Sequence, residues 1–148
     1  ETSLIIVWMV IVFCFSNQGG TKSSNTSRKV TVAVVQVVSD RTIEEDEPLL
    51  ENIEKIIRKL AHYTIYAVGG FLIMNYAYTT NRKTKEKVFY STAFGIGYAV
   101  TDELHQFFVA GRSASIFDVC IDALGIVTGI GIYVIMRKAI ERLKDKAV

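Results

Sequence analysis

The sequence is poor in the residues that brace or staple a small domain. It holds one proline, Pro48, in 148 residues, so steric interruption of helices is confined to that position. Two cysteines, Cys14 and Cys120, cannot form a disulfide framework, and no CxxC spacing offers a zinc site. Both lie inside apolar runs, where a buried thiol serves as a small apolar side chain. Only His62 and His105 supply imidazole, and no H-E-x-x-H spacing is present. The net charge of +2 and the lack of a basic stripe with interleaved aromatics give nucleic-acid binding no footing. No internal repeat or low-complexity tract occurs.

Apolar residues make up 50% of the chain and the mean hydropathy is +0.29, yet the charge falls in three blocks between long apolar runs. That segregation marks a bilayer as solvent. The expected fold is all-α: one polytopic membrane domain over 1–148, with four transmembrane helices plus an extracytoplasmic amphipathic helix. The spans fall at about 3–16, 60–78, 88–109 and 116–136, and 17–58 is the extracytoplasmic segment. No A-x-A-like cleavage site follows Leu4 to Phe15, so that run reads as a retained helix rather than a signal peptide.

Within 17–58, Ser23, Ser24, Thr26 and Ser27 are candidate caps. Val30, Ala33, Val34, Val37 and Val38 recur at helical spacing, over a stretch too short to span, so this helix is expected to lie on the membrane surface. An acidic loop at 40–47 precedes Pro48, which suits the first position of a new helix. That helix carries the pairs Glu51–Lys55 and Glu54–Arg58 and should continue into the second span, with Tyr63, Tyr66, Tyr76 and Tyr78 as interface anchors. Ser115 and Asp118 match a capping box opening the last helix.

The segment 81–87 and the C-terminal tail each carry a net charge of +3, whereas 16–58 has six basic and seven acidic residues. By the positive-inside rule the first two are cytoplasmic and the third is outside, with both termini cytoplasmic. The polar ends of three spans then share the outer side, with Asp102 and Asp122 roughly 9 Å in from their helix ends. Spans three and four, joined by a short loop, should be antiparallel neighbours.

Asp102, His105 and Gln106 share a face of span three. Asp118, Asp122, Gly125 and Gly129 share one on span four, where the glycines admit a close neighbour. Lys59, His62 and Tyr66 line a side of span two. A charge at membrane depth costs at least about 2.5–3.5 kcal/mol unless paired or wet, so Asp102, Glu103 and Asp122 require Arg112, His62, His105, a cation or water. The simpler reading is a hydrogen-bonded cap tying the helix ends together. The functional reading is a site in which carboxylate and imidazole exchange protons and Arg112 holds a phosphate or carboxylate. The cofactor is left open, with a divalent metal on the histidines and carboxylates as an alternative.

The segments Arg58-Lys59-Leu60-Ala61-His62-Tyr63-Thr64-Ile65-Tyr66, Thr101-Asp102-Glu103-Leu104-His105-Gln106-Phe107-Phe108, Gly111-Arg112-Ser113 and Asp118-Val119-Cys120-Ile121-Asp122 with Gly125 together resemble the VanZ-like family. The pattern is K-x-x-H-x-x-x-Y, then D-E-x-H-Q-x-F, then G-R-x-x-x-x-x-D-x-x-x-D-x-x-G. Trp8, Val12-Phe13 and Ser16-Asn17-Gln18 look like the family's opening. The resemblance implies a multi-pass envelope protein of mostly Gram-positive bacteria, in a family whose founding member confers low-level teicoplanin resistance. It places the family's polar positions on Lys59, His62, Tyr66, Asp102, Glu103, His105, Gln106, Arg112, Asp118, Asp122 and Gly125.

The expected function is an outward-facing site that binds or modifies a lipid-linked envelope component with an anionic head, with membrane lipids as partners and a lipid-linked cell-wall precursor as a candidate. Asp102 or Glu103 with His105, and His62, would handle protons. Lys59, Tyr66, Gln106, Arg112, Asp118 and Asp122 would bind substrate. The alternative is a non-catalytic membrane module that partners another envelope protein, marked by sensitivity on the Gly125/Gly129 face or in the Val30–Val38 helix.

Overall fold

The computed structural model describes residues 2–18, 27–33, 36, 48–112 and 114–146, and every regular element among them is helical. Helix α1 is Thr2–Ser16, α2 is helical over 27–33, α3 is Pro48–Ala77, α4 is Thr84–Phe107 and α5 is Ile116–Lys146. The all-α expectation holds. Pro48 opens α3, whose 30 residues run unbroken for about 45 Å. At its far end the Thr79 and Thr80 hydroxyls donate to the Tyr76 and Ala77 carbonyls at 2.8 and 2.7 Å, beside the backbone N–H groups of the same threonines, and so tighten the last turn. Gly111, at φ 77°, makes the left-handed turn between α4 and α5 that a side chain would resist. The Ser115 hydroxyl accepts the Phe117 N–H at 3.2 Å and so caps α5.

Helices α1 and α4 run one way, and α3 and α5 the other. Trp8 in α1 donates its indole N–H to the Ile65 carbonyl at 2.8 Å, and the Tyr98 hydroxyl in α4 donates to the Met9 carbonyl at 2.8 Å. Trp8 meets Tyr66 edge-on at 5.9 Å and Tyr98 at 5.1 Å. Around this aromatic centre pack Val12, Ile73, Met74, Ala99, Ile126 and Ile130. Tyr66, expected among the interface anchors, is instead fully buried, because α3 turns that face toward Trp8.

The α3–α5 crossing depends on glycine. A Cβ on Gly125 would run into the Tyr63 carbonyl, one on Gly129 into the Ala67 carbonyl, and one on Gly70 into the Ile126 backbone. Their absence lets the two backbones touch. The Gly125/Gly129 face is thus spent inside the chain, so it offers no surface to a partner.

Around its apolar core the bundle exposes many apolar residues and buries several polar ones. Leu4, Ile6 and Val7 on α1, Phe89, Phe94 and Leu104 on α4, and Leu124, Ile132 and Ile135 on α5 are exposed, whereas Ser16, Asp102, Glu103, Gln106 and Asp122 are buried. Cys14 and Cys120, expected buried, are exposed on the same outer faces. Apolar side chains thus face outward as well as into the core, and these buried polar groups gather toward one end of the bundle. Helix α5 is long and apolar enough to cross a membrane and α1 is a shorter apolar helix. In α3 and α4, tyrosines, His62 and Asn75, and the Asp102–Gln106 cluster, dilute the apolar run. In α2, Thr31 is buried while Val30 and Ala33 are exposed. Ser23, Ser24, Thr26, Val34, Val37, Val38 and the acidic loop at 40–47 lie outside the described residues.

Candidate functional site

Helix α4 delivers its polar cluster to different neighbours. At about 100° per residue, Asp102 and Gln106 point the same way, Glu103 is turned to one side and His105 to the other. Gln106 Nε2 donates to Asp102 Oδ2 at 3.0 Å, and Arg112 Nη1 donates to Gln106 Oε1 at 2.6 Å. The neutral amide therefore stands between carboxylate and guanidinium, using one end for each. Arg112 reaches back to α1 as well, with Nε donating to the Gln18 carbonyl at 3.2 Å and Nη2 to the Phe15 carbonyl at 3.3 Å. Burial, and next the positive charge of Arg58, lower the pKa of Arg112, against the opposing pull of Asp102 and Glu103. Two cations are therefore close enough to repel. The guanidinium remains charged throughout the physiological range.

Glu103 takes another role. Its Oε1 accepts the Ser115 backbone N–H at 2.5 Å, a cross-helix cap on an orphan donor at the N-terminal end of α5. His105 stacks on Phe13 at 4.9 Å and an interplanar angle of 29°. Asp122 is fully buried against α3 and faces His62, whose Nδ1 is 3.5 Å from Oδ1. That is ion-pair range but too long for a well-formed hydrogen bond, and both Asp122 oxygens lack a hydrogen-bond partner among the described residues.

Between α1, α2, α3 and the Arg112 turn is a cavity of about 230 Å³. Its polar lining includes Ser16, Arg58, His62, Tyr66, Asp102 and Arg112, and its apolar walls include Val12, Val30, Ile57 and Ile65. Of the residues expected at a site, the structure gathers His62, Tyr66, Asp102 and Arg112 around this space, with Gln106 and Asp122 directly behind them. It does not bring Lys59, Glu103, His105 or Asp118 to the lining. Lys59 is exposed, with Nζ 4.3 Å from the centre of the Phe117 ring, and Asp118 is half-buried in the first turn of α5. Among the described residues, no three His, Cys, Asp or Glu side chains converge on a metal position.

Arg58 and Ser16 are lining residues that sequence reasoning passed over. Arg58 precedes His62 by one helical turn, so the i, i+4 stripe into the site was visible. The sequence pairs it with Glu54, and that pair forms at 2.9 Å. Ser16 closes the first apolar run, and nothing local distinguishes it from a helix terminator.

A family model described as VanZ/LLP1 matches residues 2–137 of the chain. No curated protein and no solved structure matches it.

Proposed function

This chain belongs to the VanZ/LLP1 family, and we propose that it is a four-span protein of the bacterial cell membrane whose cavity, at outer head-group level, binds the anionic head of an amphiphilic or lipid-linked envelope component. Spans at about 3–16, 60–78, 88–109 and 116–136 would put the exposed apolar side chains of α1, α3, α4 and α5 against acyl chains. Exposed apolar surface of that extent is unusual for a monomer in water. The basic 81–87 segment and C-terminal tail support cytoplasmic termini, and the exposed Val30 and Ala33 of α2 support a helix resting on the outer surface.

One observation carries the reading: two guanidiniums and an imidazole share a cavity with Val12, Ile57 and Ile65. Cationic donors beside an apolar wall suit a ligand with an anionic head and an apolar chain. Asp102 and His62 line this space and are the groups placed to exchange a proton with the ligand. Glu103 and His105 would act only through the elements they brace. A role in teicoplanin resistance, implied by the resemblance, would follow from retaining or altering such a surface component.

The test is direct binding in nanodiscs of zwitterionic lipid. Loss of a buried charge-assisted contact predicts that Arg112→Ala weakens binding of an anionic single-chain amphiphile about tenfold or more. Equal affinity of wild type and Arg112→Ala for every anionic head tried would sink the proposal.

A further inference from the structure

The cavity holds donors that anion binding by Arg112 leaves unused. Ser16, in the last turn of α1, is 2% exposed and Tyr66, midway along α3, 0%. Both line the cavity, and neither hydroxyl oxygen has a hydrogen-bond partner among the described residues. Asp102 faces the Tyr66 hydroxyl on the same lining. A buried hydroxyl with no partner is costly, and two on one lining point to a ligand that brings acceptors. Asp102 supplies the opposite preference. Gln106 occupies its Oδ2, and its acceptor capacity is not exhausted, so it favours a ligand that also carries a proton.

These demands separate the common anionic heads. A carboxylate offers two oxygens in one plane and no donor. A phosphodiester has no O–H to give Asp102, so its charge would meet the carboxylate directly. A phosphate monoester offers three oxygens beyond its ester link, and with a second ionisation near pH 6 it can retain one O–H beside a carboxylate. Size agrees: about 230 Å³ is below the roughly 300–1,000 Å³ of drug-sized sites. It suits a phosphate with the start of one chain.

Building on the anion-binding reading above, we propose that the cavity selects the phosphate monoester head of a single-chain amphiphile. Arg112, supported by the field of Arg58, holds the charge. The Ser16 and Tyr66 hydroxyls donate to phosphate oxygens, and Asp102 accepts the remaining P–OH. The chain leaves along Val12, Ile57 and the exposed Val30 toward the bilayer.

Calorimetric titration of the full chain in nanodiscs with octyl phosphate, dioctyl phosphate, octanoate and inorganic phosphate tests this. Octyl phosphate should bind at least about tenfold more tightly than each of the others, and Ser16→Ala with Tyr66→Phe should remove about tenfold of that affinity and less from octanoate, which has fewer oxygens to receive the two hydroxyls. Trp8, the single tryptophan, packs on Tyr66 at 5.9 Å, so its emission reports whether the variants retain the core. The ranking of ligands on wild type needs no variant to fold. Octanoate or dioctyl phosphate matching octyl phosphate, with Arg112 dependence intact, would overturn the monoester claim and spare anion binding. Inorganic phosphate matching octyl phosphate would remove the chain from the claim. Loss of Arg112 dependence for every ligand would remove both proposals.

Discussion

The two packed faces of α3 are built on opposite rules. Toward α5 it closes completely: Gly125 lies against the backbone at Tyr63, Gly129 against Ala67, and Gly70 against Ile126. Toward α1 and the Arg112 turn it stays open around a cavity, and the polar atoms there are only partly satisfied. The closed seam is made by removing side chains, so its contacts are between backbones that have little freedom to shift. The open seam is held apart by large or charged side chains, Trp8, Arg58, His62 and Arg112, which reach across it from three directions. One helix thus carries the rigid half of the molecule on one side and the receptive half on the other. Stability and function can be damaged independently.

The largest effect tests the closed seam. Gly129→Leu places a side chain into the Ala67 backbone, where no rotamer can relieve the overlap, and overpacking of this kind should cost about 3 kcal/mol or more. Gly131, two residues on, has nothing within 4 Å of where a Cβ would stand. Gly131→Leu should therefore purify as wild type, while Gly129→Leu should melt far lower or elute as aggregate in neutral detergent. Equal melting of the two would show that the α3–α5 contact is not what holds the bundle together.

An intermediate effect sharpens the open seam. Gln106 separates Arg112 from Asp102 by giving its oxygen to one and its amide N–H to the other. Gln106→Glu keeps the shape but sets a carboxylate against Asp102 and neutralises Arg112 from behind. Anion affinity should fall about tenfold, the scale of one charge-assisted contact. Gln106→Leu removes both bonds without adding charge, so it should reduce affinity less. If the two substitutions bind an anionic amphiphile equally, the amide is a spacer only and its polarity is immaterial.

How much of this was legible in the sequence follows from what periodicity encodes. Pro48 and the apolar runs mark the helices, and the Gly125/Gly129 spacing marks a close crossing, because both are properties of a single segment. The link between Asp102, Gln106 and Arg112 was foreseeable from a helix face and a short turn. Which neighbour each side chain meets was not. A helix face defines a direction about 100° wide, and three helices surround α4, so Glu103 turns to α5 and His105 to Phe13 although both belong to the same cluster. The thiols illustrate a second limit. An apolar residue in a run is expected inside, but this bundle presents many apolar side chains outward as well as inward, and the thiols lie among the outward ones.

The smallest effect separates bracing from chemistry at Glu103. Its carboxylate accepts the Ser115 N–H, joining α4 to the start of α5 across the turn that carries Arg112. Glu103→Gln retains an oxygen for that bond and loses only the charge that favours a helix N-terminus, which should cost about 1 kcal/mol of stability. Binding of an anionic amphiphile should stay within about twofold of wild type, less than the 1.4 kcal/mol that marks a tenfold change, because Glu103 does not line the cavity. Thermal melting and calorimetry on the same preparation read the two quantities separately. A variant that melts as wild type but loses its ligand would place Glu103 among the groups that act on the ligand, and the open seam would then extend past Asp102 to the start of α5.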